Sequence, residues 1–302
     1  MPLWTAVACS QDSNSSGNSS SGAGDSARFT AVATTSMAAD ALRHLLPDSV
    51  EVIALMGPGV DPHLYKATSG DLQRILKADL IVYNGLHLEG RMGEALESAA
   101  RNRPVVAMGE LVDATLLMQA NENAADPHIW FDVNLWREAV TELADTLGRI
   151  FPERADDLRR RADQYADSLG QLDRWVRSET GRIPAAKRIL VTAHDAFGYF
   201  GRAYAVEVRA VQGISTAAEP GLHDIQALVD YMSSKKVPAL FVETSVPKRT
   251  VEAVLEGCKK RGHEARLGGE LYSDAMGPVG SGADTYTGMI RHNVETYLQA
   301  MQ

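Results

Sequence analysis

The apolar positions of this chain follow two rhythms. Short, nearly continuous runs, FTAVATT (29–35), VEVIALM (50–56), DLIVYN (79–84) and PVVAM (104–108), read as buried strands. A run of this length bounded by turn formers is what a strand covered on both faces requires. Between them, MAADALRHLL (37–46), SGDLQRILKA (69–78) and EGRMGEALESAA (89–100) keep their apolar residues on one helical face. A fourth helix is predicted from Asn134 to Arg149. Strands alternating with helices predict parallel βαβ units.

The rhythm then changes. Ala155, Leu158, Ala162, Tyr165, Leu169, Leu172 and Val176 recur at alternating steps of three and four, with charge elsewhere. One narrow apolar seam predicts a single helix from Pro152 to about Gly181, roughly 45 Å long at 1.5 Å per residue. The seam is short for a coiled coil, which favours a helix that links two lobes. Beyond it the alternation resumes: strands at 188–193, 206–211, 238–243 and 264–268, and helices near 196–204, 222–235, 248–261 and 283–301. The expected fold is α/β: two α/β lobes with mostly parallel sheets, joined by one long linking α-helix. The expected boundaries are a tail at 1–27, an N-terminal lobe at 28–151, the linking helix at 152–181 and a C-terminal lobe at 182–302. In open α/β sheets ligands sit beyond the carboxyl ends of the strands, so the cleft between the lobes is the expected site.

Composition narrows the function. Hydrophobic residues at 45% and charged residues at 23% suit a globular protein. A net charge of −9 argues against nucleic acid as the main partner, since phosphate binding needs a basic surface. No apolar run reaches the length of a membrane-spanning helix. There are two cysteines, Cys9 and Cys258. A bridge between them is not expected, because residues 10–27 are nearly all Ser, Gly and Asn and read as a flexible tether. Small residues leading to Ala8-Cys9, then a tether, resemble a bacterial lipoprotein signal that is cleaved before Cys9 and lipidated on its sulfur. The stretch ahead of Cys9 lacks the positive n-region and most of the apolar h-region of such a signal.

Candidate chemistry gathers on histidine. His44, His223, His263 and His292 lie in or beside predicted helices and strands and read as ordinary residues, while His87, in NGLHLEG, follows a strand and is a weaker site candidate. His63 in GVDPHLY, His128 in ADPHIW and His194 in VTAHDAFGYF each lie in a loop where ligands between the lobes would gather. The proline before His63 and His128 fixes its own φ and stiffens the approach to each ring. Imidazoles converging from separate loops suit Zn²⁺ and similar divalent cations. Asp274, in GGELYSDAMGP, offers an anionic fourth ligand. No short motif such as HExxH ties the four together, and three hydrogen-bonded loop histidines remain the alternative reading of these residues alone.

Five segments in order, GVDPHLY, ADLIVYNGLHLE, DPHIWFDV, VTAHDAFGYF and GGELYSDAMG, resemble the TroA-like zinc/manganese-binding proteins, the cluster A-I (cluster 9) solute-binding proteins of metal-uptake ABC transporters. The resemblance runs from about Phe29 to the C-terminus. It implies a rigid bridging helix, little hinge bending, and one ion held by His63, His128, His194 and Asp274 as transported ligand. It further implies a non-enzymatic protein on the bacterial surface or in the periplasm, anchored through Cys9, that hands its metal to a membrane permease; a monomer is expected. Two departures matter. Many zinc members carry a His- and acid-rich loop before the second ligand; here that segment is MQANENAADPH. Manganese-preferring members commonly have Glu at the third ligand position, where this chain has His194. Three imidazoles and one carboxylate lean toward zinc over manganese by ligand softness.

A ligating imidazole usually gives its other N–H to a carboxylate or carbonyl. Glu243 and Asp132 are the candidates for that role, whereas Asp61 and Asp126, before the prolines, read as turn formers. Affinity is expected to fall below about pH 6, near the free histidine pKa of ~6.5. The competing functions are a zinc metallohydrolase, which would keep an open coordination position for water, and a surface adhesin, which a tether and anchor suit although nothing in the sequence specifies an adhesive patch.

Overall fold

The computed structural model describes residues 29–301, so Cys9 and the Ser/Gly-rich tail lie outside the described residues. The chain begins with β1 (Thr30–Ala33), α1 (Ser36–Leu45), β2 (Glu51–Ala54), α2 (Ser69–Lys77), β3 (Leu80–Tyr83), α3 (Gly93–Ala100) and β4 (Val105–Ala107). The four strands form one parallel sheet in the order β2-β1-β3-β4. Residues Ala31–Ala33 and Leu80–Val82 are fully buried, as strands covered by helices on both faces must be.

Local chemistry sets the helix ends. Thr35 caps α1 by accepting the Ala38 N–H at 3.2 Å. Thr68 caps α2, and Asp71 reaches back to the Thr68 N–H at 2.9 Å to close a capping box. Helix α3 starts four residues later than the pattern predicts. After the left-handed backbone of Gly85, Leu86 and His87, at φ of 78°, 52° and 65°, residues 88–92 continue as tight turns closed by Leu88 N–H to Gly85 O and Met92 N–H to Glu89 O, and the helix begins only beyond them.

A small antiparallel hairpin that the pattern does not foretell, β5 (Gln119–Asn121) and β6 (Ala124–Ala125), leads straight into the Asp126-Pro127-His128 loop. Then come α4 (Val133–Ile150) and, after a short turn of 3₁₀ helix at Pro152–Arg154, α5 (Ala155–Thr180). With 26 residues, α5 is about 39 Å long. Its buried positions include Leu158, Ala162, Tyr165, Leu169, Leu172 and Val176, the seam read from the sequence. Through it α5 packs along α4 and touches both α1 and the last helix of the chain.

The second half holds β7 (Ile189–His194), α6 (Gly198–Tyr204), β8 (Glu207–Gln212), α7 (Leu222–Lys235), β9 (Ala239–Glu243), α8 (Arg249–Lys260), β10 (Arg266–Leu271) and α9 (Tyr286–Met301). β7 pairs with β8 and β9 with β10, all parallel, and β7 lies beside β9. β10 runs three residues past its expected end. Its glycines make a bulge between Leu267 and Gly269 instead of a stop, and a Cβ on Gly268 would sit 2.6 Å from the Phe241 ring. Cys258 is a buried free thiol, its pKa pushed up by burial.

One hydrophobic core spans both halves. It joins Ala31, Leu42, Leu80, Trp130 and Trp136 from the first half to Phe197, Tyr199, Leu271, Tyr286 and Tyr297 from the second. Trp130 and Trp136 are essentially inaccessible. Among the described residues, no helix is long and apolar enough to cross a membrane.

Candidate metal centre

Each candidate ligand sits beyond the carboxyl end of a parallel strand or at the mouth of a helix. His63 lies on the β2–α2 connection. Gly59 makes the turn with φ 72°, and Asp61 Oδ1 then accepts the His63 N–H at 2.8 Å. His128 follows the hairpin and is held from three sides. Asp126 Oδ1 accepts its N–H at 3.0 Å, Asn84 Nδ2 donates to Pro127 O at 3.1 Å, and Tyr199 OH donates to Asp126 O at 2.9 Å. His194 is the last residue of β7 rather than a loop residue, and its N–H is donated to Glu243 Oε1 at 2.8 Å. Asp274 lies on the β10–α9 connection, fixed on one side by Trp130 Nε1 donating to Ser273 O at 3.0 Å. On the other side the Met276 N–H is donated to Ser36 Oγ at 2.9 Å.

These four side chains converge, with one ligand atom from each all lying within 4.8 Å of one another. His63 Nε2 is 3.4 Å from His128 Nε2. Asp274 presents Oδ1 to His128 Nε2 at 3.4 Å, and Oδ2 to His194 Nε2 at 3.3 Å and to His63 Nε2 at 3.9 Å. Four ligands at the usual Zn–N and Zn–O bond lengths around a tetrahedral ion stand about 3.3 Å apart. The three separations of 3.3–3.4 Å match that spacing, and the His63–Asp274 separation of 3.9 Å is wider.

The electrostatics are those of a buried, charge-rich pocket. Burial lowers the pKa of every imidazole here, and at His63 it wins over the attraction of Asp274, giving about 4. At His128 burial is outweighed by the hydrogen bonds and charges of Asp126 and Asp274, which raise it to about 9. At His194 burial is outweighed by Glu243 and Asp274, which raise it well above the usual range. Burial would raise Asp274, yet the charge of His194 and the bonds from both histidines hold it well below the usual carboxylate range.

The outer partners differ in part from expectation. Glu243 Oε2 lies 2.5 Å from His194 Nδ1, which leaves Nε2 facing the cage. Asp132 does not meet a histidine. It is the N-cap of α4, accepting the N–H groups of Asn134 and Leu135, and it pairs with Arg202 at 3.5 Å. The carboxylate on His128 is Asp126, with Oδ1 at 2.7 Å from Nδ1. Asp126 therefore bonds the imidazole as well as shaping the turn. Its signal was present in the sequence, since an Asp two residues before a ligating His can reach both the amide and the ring. The Asn84–Glu89 segment also braces the His128 loop through Asn84. The buried Glu89 carboxylate accepts from Thr34 Oγ1 at 2.6 Å, Asn84 N at 2.8 Å and Gly85 N at 3.1 Å, and so holds the left-handed turn that carries Asn84. The remaining histidines stand outside the cage. His87 is exposed and His223 likewise. His263 bonds Val237 O, His292 bonds Glu270 O, and His44 pairs with Asp40 and stacks on Tyr165.

Fold and cage together define a class: a two-lobed α/β protein with a buried set of three histidines and an aspartate that could hold a metal ion. The chain belongs to the family described as zinc-uptake complex component A, periplasmic, whose pattern matches residues 31–300. It is 44% identical over 287 residues to the manganese-binding lipoprotein MntA of Bacillus subtilis, covering 95% of this chain and 94% of that one. It is 45% identical over 270 residues to the zinc-binding protein TroA of Treponema pallidum, covering 89% and 88%. The solved structure of that periplasmic zinc-binding protein superposes with a TM-score of 0.88 over 91% of this chain and 99% of its own, at 44% identity. The Fe(III)-bound YtgA of Chlamydia trachomatis superposes with a TM-score of 0.81 over 90% and 98%, at 29% identity.

Proposed function

We propose that this protein is the extracytoplasmic substrate-binding component of a metal-uptake ABC transporter. It captures one divalent transition-metal ion with His63, His128, His194 and Asp274 and delivers it to the membrane permease. The observation that carries the reading is the cage itself: four buried donor groups, three from separate connections and His194 from the end of β7, gathered closely enough to hold one cation. Three imidazoles and a carboxylate favour zinc, with manganese as the second cargo through both oxygens of Asp274. The relatives named for zinc and for manganese are similar to this chain at nearly the same identity, which fits a site that accepts either.

The protein acts here through positioning and proton exchange. Glu243 and Asp126 lie against the Nδ1 atoms of His194 and His128, which leaves both Nε2 atoms turned toward the cage. A catalytic zinc site typically keeps three protein ligands and an open position for water. Four protein donors that close on one another favour binding over hydrolysis. Cys9 is the proposed lipid-attachment residue, with residues 10–27 as tether, in line with relatives named as lipoproteins. The protein is proposed to work as a monomer.

The test is metal content after purification without chelators, followed by competition between Zn²⁺ and Mn²⁺. Asp274→Ala should weaken binding at least about 100-fold, since it removes the sole anionic ligand of the four, whereas His44→Ala, half-exposed where α1 meets α5 and outside the cage, should leave affinity unchanged. Equal affinities in the two variants would sink the assignment. Replacing Cys9 by Ala should move the protein from the membrane to the soluble fraction; retention on the membrane would remove Cys9 from the reading.

A further inference from the structure

Several hydrogen bonds join the two halves. Trp130 with Ser273 and Tyr286, and Tyr199 with Asp126, belong to aromatic residues sunk in the common core. Met276 with Ser36, and Arg202 with Leu116 and Asp132, cross elsewhere. A further contact reaches the carboxylate beside His63. Thr216 Oγ1, on the connection between β8 and α7, donates to Asp61 Oδ2 at 2.6 Å, and neither residue belongs to a hydrophobic cluster. Along residues 213–221 only Thr216 is buried. Gln212 Nε2 donates to Thr216 O and Ala218 O, both at 2.8 Å, and folds the connection so that the Thr216 side chain turns inward.

The other end of this bond touches the metal cage. Asp61 Oδ1 accepts the His63 N–H at 2.8 Å while Oδ2 holds Thr216. One carboxylate thus ties a ligand of the first half to a loop of the second. His63 is the most exposed of the four donors, at 8% against 0%, 0% and 2% for His128, His194 and Asp274. It therefore lines the side of the cage nearest solvent.

We propose that Asp61 and Thr216 form a latch at the mouth of the cage, a positioning pair that sets how long the metal stays. The inference rests on the functional reading above. With the latch closed, the 213–221 loop covers the His63 side and Asp61 holds the His63 backbone in place. With it open, the loop lifts and His63 gains freedom to leave the ion first, without any break in the aromatic core. The pair adds no donor atom to the cage. It acts on dissociation, since a ligand that can leave stepwise to solvent shortens residence.

Stopped-flow release of Zn²⁺ into excess chelator tests this, using the full chain. Thr216→Val keeps the shape and deletes the donor, so release should quicken on the order of 10- to 100-fold, the worth of a hydrogen bond to a charged group. Thr216→Ser keeps the hydroxyl and should stay within about twofold of the parent, the scatter expected of an unperturbed site. Asp61→Asn is measured alone and combined with Thr216→Val, and the double variant should release clearly more slowly than the two single accelerations multiplied predict. The metal-free Thr216→Val protein should still melt cooperatively within several degrees of the parent, so that the faster release is read on folded protein. Release unchanged in Thr216→Val, release as fast in Thr216→Ser as in Thr216→Val, or fully multiplicative effects would each overturn the latch. If the parent protein binds neither Zn²⁺ nor Mn²⁺, it is the functional reading that fails.

Discussion

Consider metal binding followed from about pH 6 to about pH 8. In the metal-free protein at neutral pH, His128 and His194 hold protons because Asp126, Glu243 and Asp274 surround them, while His63 is neutral and Asp274 ionised. An entering cation needs the lone pairs on both Nε2 atoms, so loading expels both protons. Each proton released makes apparent affinity change about tenfold per pH unit, and two make about a hundredfold. The sign is fixed by the direction of the shifts: affinity strengthens as pH rises, and the His128 share fades once pH passes about 9, where that proton leaves without help. Free imidazole would place this dependence below about pH 6; the carboxylates move it into and above the neutral range. Calorimetry at neutral pH in two buffers of different protonation enthalpy counts the protons directly. A heat of binding that is the same in both buffers, hence no proton released, would refute the argument. The same shift bears on stability. A raised histidine stabilises the metal-free fold fully below ~6.5 and loses that contribution as pH climbs through about 9, so metal-free melting should drop on the alkaline side.

Two further outcomes follow from the neighbours of the cage. Asp126→Asn should weaken metal binding about 10- to 100-fold by loosening His128, whereas Asp132→Asn should leave affinity intact and change stability by no more than about 1 kcal/mol through the α4 cap; competition titration and chemical denaturation separate the two. Gly109→Ala would bring a Cβ to 2.8 Å from Leu86 Cδ1 and 2.9 Å from Asn84 O. Denaturant unfolding should show a loss of about 1–3 kcal/mol, with weaker metal binding because Asn84 no longer grips Pro127 O; unaltered stability would contradict the close packing.

The periodicity of the chain carried the architecture well, because both α/β halves and α5 are built from strong, regular burial patterns. It failed where backbone geometry depends on neighbours. The start of α3 was displaced by the tight turns that follow the left-handed backbone at Gly85–His87, and only Gly85 announces such backbone. β10 was cut short because paired glycines look like an ending, and the Phe241 ring that demands Gly268 lies on another strand. The cage residues stood out because each follows a strand or a proline turn. The carboxylate partners were harder. Asp61 and Asp126 occupy the same position in two Asp-Pro-His segments and each accepts the amide of its histidine at about the same distance. Yet Asp126 also bonds its own ring, while Asp61 reaches Thr216. Which of these occurs is decided by what faces the loop, Trp130 against the His128 ring in one case and the 213–221 connection in the other.

The common core has a consequence for communication. Because Trp130, Phe197, Tyr199 and Tyr286 are packed as one body, a wide swing of one half against the other would expose buried aromatics to water. A transporter docking on this molecule would find nearly the same silhouette in both states. What changes is the order and charge of the connections around the ion, those carrying His63, Thr216 and Asp274. Cargo would be announced by local stiffness and by departed protons, read at the rim, rather than by the distance between two halves.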